Sequence, residues 1–210
     1  MSRAATLVVD TSMGNLRSVA RALERAGAEV EVSADPDRVR RAERLVVPGQ
    51  GAFGDCARAL DAGLREAIAE HLAKDRPYLG ICLGMQVLFE SSEEAPGARG
   101  LGVVRGRVRR FPEGLADPRD PERRLKVPHV GWNEVAGRHP LLPERAWFYF
   151  VHSYFCEPED EAFVAATAEH GVRFCAAIAR GATFAVQFHP EKSQRAGAAL
   201  LARFLEGRWS

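Results

Sequence analysis

The chain has 210 residues, of which 46% are hydrophobic, and its 29 basic and 28 acidic residues leave a formal net charge of +1. This near balance gives no general reason to bind nucleic acid or a membrane surface. No stretch approaches the roughly 18 apolar residues of a membrane span, and no secretory apolar region follows the N-terminus. We therefore expect a cytoplasmic protein with a single domain spanning 1–210.

The cysteines exclude two common architectures. All four lie far apart and form no CxxC pair: Cys56, Cys82, Cys156 and Cys175. Neither a zinc site nor a disulfide framework is expected from such spacing in a reducing compartment. We predict no metal, and each thiol must be considered on its own.

The first half of the chain alternates strand-like runs with helical segments. Strands are predicted at 6–9, 29–33, 44–47 and 78–81, and helices at 16–26 and along 57–72. Asn15 is the predicted N-cap of the first helix. Alternating strands and helices favour a parallel sheet covered on both faces, with functional sites at the C-terminal ends of its strands.

The second half is richer in strands. They are predicted at 101–111, 147–155, 162–168, 174–179 and 183–188, before a closing helix at 194–205. We predict a doubly wound α/β fold: a mixed, mainly parallel sheet with helices on both faces and a β-rich insertion in the second half. The Arg-rich segment 105–126, broken by prolines, is predicted to be an exposed loop.

The pentapeptide Gly80-Ile81-Cys82-Leu83-Gly84 lies where the fourth strand meets a helix predicted to continue through Leu88. This pattern is typical of a nucleophile elbow with cysteine in place of serine. The helix N-terminus would also favour a thiolate. Taken alone, the pentapeptide also fits a buried cysteine between two packing glycines.

The segment Phe188-His189-Pro190-Glu191 favours the catalytic interpretation. Side chains two apart on an extended segment point the same way, so Glu191 can orient His189. A thiolate needs a base, and the base needs an acidic partner. The rival bases His129 and His152 are better explained as hydrogen-bonded interior histidines.

Acyl transfer also needs N–H groups directed at the developing oxyanion. We expect one from Leu83 and one from the Gly49–Gln50 peptide of the turn Pro48-Gly49-Gln50-Gly51. A plain tight turn is the alternative. The spacing matches neither a dinucleotide fingerprint nor a phosphate-binding loop.

The run from Gly80 to Gln86 and the distant His-Pro-Glu resemble the class I, triad-type glutamine amidotransferases. Within that class, further blocks resemble the glutaminase subunits of imidazole glycerol phosphate synthases: Gly14-Asn15, Pro48 to Phe53, Lys126 to Asn133, Tyr149 to Tyr154 and His189 to Gln194. The chain departs from that pattern at Thr11-Ser12 and at Gln50.

This resemblance implies a Cys82, His189 and Glu191 triad, with Gln86 and Gly51 at the substrate glutamine and no cofactor. It also implies that ammonia passes to a (β/α)-barrel cyclase subunit in histidine biosynthesis. We expect five residues at that partner interface: Asn15, Trp132, Asn133, Tyr149 and Lys192. We also expect a weak glutaminase until the partner is bound, with Gly49-Gln50-Gly51 as the switch.

Two other functions stay open at this point. One is another amidotransferase or γ-glutamyl peptidase of the same fold, which the block from Lys126 to Asn133 argues against. The other is a non-catalytic or RNA-binding protein that uses the Arg-rich loop. The complete triad and the lack of interleaved aromatic residues in the loop argue against this second function.

Overall fold

A computed structural model describes residues 4–117 and 120–207, except for the side chains at positions 4 and 121. The strands are β1 (Ala4–Val9), β2 (Ala28–Ser33), β3 (Leu45–Gly49), β4 (Tyr78–Cys82), β5 (Ser91–Ser92), β6 (Gly106–Arg110), β7 (Ala116–Asp117), β8 (Asp120–Arg124), β9 (His129–Gly137), β10 (Arg145–His152), β11 (Tyr154–Pro158), β12 (Val164–Glu169), β13 (Arg173–Arg180) and β14 (Thr183–Val186). The α-helices are α1 (Leu16–Arg25), α2 (Pro36–Arg41), α3 (Phe53–Ala59), α4 (Leu64–Ala73), α5 (Leu83–Gln86) and α6 (Gln194–Glu206), with 3₁₀ turns at Glu161–Phe163 and Pro190–Lys192.

One large sheet runs in the order β10-β9-β12-β13-β14-β4-β3-β1-β2, and β11, β6 and β5 branch from β13. The pairings from β14 to β2 are parallel, whereas those from β10 to β14 are antiparallel. The predicted doubly wound, mixed sheet is therefore confirmed. The carboxyl ends of β3, β4 and β14 lie side by side, which is where parallel α/β sheets place their sites.

The inner parallel strands β3, β4 and β14 are buried on both faces, as their continuous apolar runs predict, whereas the edge strand β2 is largely exposed. Val8 of β1 packs in one core with side chains of α1 and α6. Its neighbours Leu7 and Val9 pack in a second core with α2, α3 and α4. Because successive side chains of a strand point to opposite faces, helices must cover both sides of the sheet.

The helix predicted along 57–72 is wrong as a single element. It is two helices, α3 and α4, separated by a turn that ends at Gly63 with φ of 88°. That left-handed angle breaks a helix, and glycine adopts it without steric cost. The sequence reading also missed α2, which Asp35 caps by accepting a hydrogen bond from the Asp37 nitrogen at 2.8 Å.

The prediction of a plain loop at 105–126 is also wrong in part. Gly106–Arg110 forms β6, which lies within the strand predicted at 101–111, and Asp120–Arg124 pairs antiparallel with Ala116–Asp117. Positions 118 and 119 of this segment lie outside the described residues. Over the ranges 4–117 and 120–207, no helix is long and apolar enough to cross a membrane.

Candidate active site

Cys82 lies at a sharp turn between β4 and α5, with φ of 55° and ψ of −105°. L-residues seldom adopt such angles, and they are tolerated where surrounding packing imposes them. A Cβ at Gly84 would lie only 1.7 Å from the Val47 carbonyl oxygen, and one at Gly80 only 2.4 Å from the Gly84 carbonyl oxygen. The turn therefore requires glycine on both sides of Cys82, and its geometry is that of a nucleophile elbow.

The helix after the elbow is shorter than predicted, since α5 ends at Gln86 instead of continuing through Leu88. The Tyr78 hydroxyl donates to the Gly84 carbonyl at 2.8 Å, which is the acceptor that Leu88 would use in a longer α-helix. The Leu88 nitrogen bonds to the Met85 carbonyl instead. A buried tyrosine thus competes with the helix for its acceptor.

His189 and Glu191 follow β14 and approach the elbow from the neighbouring strand. The His189 Nδ1 lies 2.8 Å from Glu191 Oε1, and both side chains are almost fully buried. The expected extended geometry is wrong, because Glu191 sits in the 3₁₀ turn Pro190–Lys192. The main chain of Tyr149 in β10 holds this segment: its carbonyl accepts from the His189 nitrogen at 2.9 Å, and its nitrogen donates to the Ser193 hydroxyl at 3.0 Å.

The electrostatic setting of His189 suits a base that carries a proton during part of the cycle. Burial lowers its pKa, but the interactions with Cys82 and Glu191 raise it more, to about 9. Its Nε2 is buried and forms no hydrogen bond of normal geometry with any described residue. With Nδ1 held by Glu191, Nε2 is the nitrogen left to exchange protons at the pocket.

A pocket of about 340 Å³ lies over Cys82. Its lining includes three kinds of residue predicted for the site: His189 of the triad, Leu83 and Gln50 near the oxyanion position, and Gln86 and Gly51 for the substrate. Gly49 pairs directly with Cys82 across the parallel strands β3 and β4. The predicted oxyanion turn is therefore adjacent to the nucleophile.

The side chains of Asn133, His129 and His152 form a directional chain of hydrogen bonds that ends at the Tyr154 carbonyl. The His152 Nδ1 donates to the Tyr154 carbonyl at 2.8 Å, so its Nε2 must accept from the His129 Nδ1 at 2.9 Å. The His129 Nε2 then accepts from the Asn133 amide at 3.3 Å. His129 and His152 are thus hydrogen-bonded interior residues, as the sequence reading favoured.

The Tyr154 carbonyl extends this chain of hydrogen bonds into the pocket. The Gln86 amide nitrogen donates both to the Tyr154 carbonyl at 3.2 Å and to Gln187 Oε1 at 3.1 Å. The Gln187 amide nitrogen in turn lies 3.5 Å from the Cys82 sulfur. Sequence reasoning missed Gln187, although its position two residues before His189 could have found it.

The residues predicted at a partner interface are only partly brought together. Trp132 is 43% exposed, its ring lies 6.1 Å from that of Tyr149, and the Lys192 ammonium lies 6.0 Å from the same Tyr149 ring. Asn133 instead turns inward to His129, and Asn15 caps α1 by accepting from the Ser18 nitrogen. Trp132 belongs to β9, and its side chain is exposed there.

Comparison with known proteins shows the family to which the chain belongs. The family described as glutamine amidotransferase class-I matches residues 7–207. The chain therefore belongs to the class-I glutamine amidotransferases.

Individual proteins are also similar to this chain over nearly its whole length. The imidazole glycerol phosphate synthase subunit HisH of Methylococcus capsulatus is 51% identical, covering 96% of this chain and 95% of that protein. The subunit of the same name from Dechloromonas aromatica is 53% identical, covering 95% and 94%. PurLQS from Thermotoga maritima has the same fold, with a TM-score of 0.73 at 18% identity over 98% of this chain and 97% of that one.

The buried histidines predict acid sensitivity. Burial, followed by repulsion from a neighbouring histidine, lowers the pKa of both His129 and His152 from 6.5 to about 3. Between these values the unfolded chain binds protons that the folded chain excludes, so the free energy of unfolding should fall as pH drops below 6.5. The expected slope is about 1.4 kcal/mol per pH unit for each histidine. His189, with its raised pKa, is protonated in both states there and adds no slope.

Urea unfolding at neutral and mildly acidic pH measures this slope. His152→Asn removes one titrating group and keeps a donor for the Tyr154 carbonyl. Its slope should be smaller than that of the wild-type chain by about 1.4 kcal/mol per pH unit, which is the contribution of one histidine. An equal slope in the two proteins would contradict the assignment of a neutral His152.

Proposed function

We propose that this chain is the glutaminase subunit of an imidazole glycerol phosphate synthase, acting in the cytoplasm as one domain, 1–210. It hydrolyses glutamine to glutamate and delivers the ammonia to a (β/α)-barrel cyclase subunit in histidine biosynthesis. The observation that carries the proposal is the strained Cys82 elbow beside the His189–Glu191 pair, whose atoms are 2.8 Å apart. Identities of about one half to the HisH subunits support the assignment of the pathway.

The first half of the reaction acylates Cys82. Its thiolate attacks the side-chain carboxamide carbon of glutamine, and the carbonyl electrons move to oxygen as the C–S bond forms. His189, protonated on Nε2, then gives this proton to the nitrogen as the C–N bond breaks, which releases ammonia. Glu191 keeps Nδ1 occupied, so that the exchanged proton is always the one on Nε2.

The second half hydrolyses the γ-glutamyl thioester. The now neutral His189 takes a proton from water, and the oxygen attacks the thioester carbon. When the C–S bond breaks, its electron pair returns to the sulfur of Cys82 and glutamate leaves. The thiolate and the protonated imidazole are thereby restored.

The polar groups around the pocket suit the amino-acid end of glutamine. Both N–H groups of Gln86 are used within the protein, so its Oε1 is left to accept from the substrate ammonium. Glu94 also lines the pocket and supplies a negative charge there, while its Oε2 accepts from the Phe53 nitrogen at 2.7 Å. Gly51, with φ of 114°, lets the main chain line the same pocket without a side chain.

The oxyanion is stabilised by the N–H groups of Leu83 and of the Gly49–Gln50 peptide. A Cβ built on Gly14 would lie 3.2 Å from the Gln50 nitrogen, so the loop before α1 packs directly on this peptide. Asn15 follows Gly14 and is exposed. A partner that contacts Asn15 therefore displaces the loop that packs on the oxyanion peptide. The flanking glycines lower the free-energy cost of rotating this peptide.

The partner binds the outer face of β9 and β10 near the pocket, forming a heterodimer. The exposed ring of Trp132 lies beside the half-buried ring of Tyr149 there, and Lys192 adds a charge directly after the catalytic Glu191. Aromatic residues beside a cation are typical anchors of protein interfaces. Ammonia released at Cys82 would thus reach the cyclase without crossing bulk solvent.

The first test separates glutamine chemistry from synthesis. Cys82→Ala in the complex should abolish glutamine-dependent synthesis but leave synthesis from added ammonium salts, because only the nucleophile is lost. Cys56→Ala is the matched control: this thiol is buried, and burial raises its pKa to about 12. The Cys56→Ala variant should keep nearly wild-type turnover of glutamine. Glutaminase turnover near wild type in Cys82→Ala would refute the triad.

The second test concerns activation by the partner. Steady-state glutamine hydrolysis is measured for the free chain, for the complex, and for the complex with the cyclase's nucleotide substrate. We expect kcat/KM to rise by about a hundredfold or more from the first to the last, since one oxyanion donor is worth that much. Equal values in all three would mean that the oxyanion site is preformed.

The third test locates the partner surface. Trp132→Ala should raise the Kd of the complex by about tenfold or more, as expected for a central aromatic anchor. Val32→Ala provides a control, because Val32 is equally exposed at 44% but lies on β2, at the opposite edge of the sheet from β10. The control should change Kd much less. If Trp132→Ala and Lys192→Ala both left Kd unchanged, the assigned surface would be wrong.

A further inference from the structure

The short helix α5 leaves the Cys82 thiolate in need of another donor. A helix N-terminus favours an anion through many aligned peptide groups, but α5 has only 4 residues. Cys82 itself is 6% exposed. A buried anion is costly unless hydrogen bonds compensate for the lost water, so the interactions around the sulfur decide whether the thiolate forms.

Gln187 is placed to be that donor. It is fully buried after β14, and its amide nitrogen lies 3.5 Å from the Cys82 sulfur. The orientation of the amide is determined by its other end: Oε1 accepts from the Gln86 nitrogen at 3.1 Å, so the nitrogen must face the sulfur.

The Gln86 amide is fixed in the same way. Its nitrogen also donates to the Tyr154 carbonyl, which accepts a second bond from His152. Because His152 and His129 are neutral, with pKa values lowered by burial to about 3, their donors and acceptors keep the same roles at neutral pH. Every group from His129 to Gln187 thus has one allowed orientation, which ends in an N–H aimed at Cys82.

We propose that Gln187 is a further catalytic residue, which donates its side-chain N–H to the Cys82 sulfur and stabilises the thiolate. The inference rests on the proposed glutaminase function. The same N–H acts twice: it favours the thiolate before attack, and it stabilises the sulfur again when the thioester C–S bond breaks and the electron pair returns.

Two substitutions separate this role from a structural one. Gln187→Met fills the space but removes both hydrogen bonds, whereas Gln187→Glu keeps an acceptor for Gln86 and replaces the donor with a negative charge. If Gln187 only held Gln86, Gln187→Glu would behave like the wild type. If it stabilises the thiolate, both variants are impaired, and Gln187→Glu is impaired more because its carboxylate repels the sulfur.

The primary measurement is the rate of alkylation of the full-length chain by iodoacetamide as a function of pH. The midpoint should move upward by about one pH unit in Gln187→Met and further in Gln187→Glu, since a hydrogen bond to a charged group is worth at least that much. Cys82→Ala identifies the signal, because burial raises the pKa of the other three thiols and any alkylation left in that variant comes from them. An unchanged midpoint in the variants would overturn the inference.

Kinetics of the complex with the cyclase subunit give an independent readout. We expect kcat for glutamine hydrolysis to fall by about tenfold or more in both variants, with a much smaller change in KM. A rise in KM alone, confined to Gln187→Met, would assign Gln187 to substrate positioning instead. Thermal unfolding checks both variants, and Gln187→Glu carries the test if Gln187→Met does not fold.

Failure of the proposed glutaminase function can be distinguished from failure of the role inferred for Gln187. A wild-type complex that does not hydrolyse glutamine would refute the proposed function, while the alkylation profile would still decide whether Gln187 acts on the sulfur. Conversely, normal glutaminase activity with identical alkylation profiles in all variants would refute the role of Gln187 alone.

Discussion

The active site depends on one close approach between main-chain segments. The Gly84 α-carbon packs so tightly on the Val47 carbonyl that any side chain at position 84 would overlap it. This contact holds the start of α5 against β3 and imposes the positive φ on Cys82. The strain is tolerated because the flanking strands β3 and β14 are buried and paired with β4 on both sides.

A second constraint links the β-rich insertion to the catalytic pair. The main chain of Tyr149 binds the segment from His189 to Ser193 at both ends, while its ring lies on the outer surface beside Lys192. One residue therefore positions the base through its backbone and contributes to the proposed partner surface through its side chain. The insertion forms a wall of the pocket and also carries the proposed interaction surface.

The sequence predicted the elements with strong local signals and missed those decided by distant contacts. The glycines around Cys82 and the spacing of His189 and Glu191 are local patterns, and the parallel strands follow from their apolar runs. The break between α3 and α4 depends on Gly63, which an amphipathic pattern does not reveal. The early end of α5 depends on the hydroxyl of Tyr78. The hydrogen bonds that link His129 to Gln187 join segments that only the folded sheet brings together.

The site divides into a rigid part and a part that can move. On one side, the neutral histidines, Gln86 and Gln187 leave each donor a single acceptor, so rotating any amide would bury an unpaired polar group. On the other side, the Gly49–Gln50 peptide lies between glycines and against Gly14, where rotation costs little. If the proposed partner activates the enzyme, the Gly49–Gln50 peptide is the part of the site that it would have to reorient. Regulation at that peptide, as proposed, would leave the nucleophile and its hydrogen-bond donors in place, so that the protein would stay folded while glutamine hydrolysis is off.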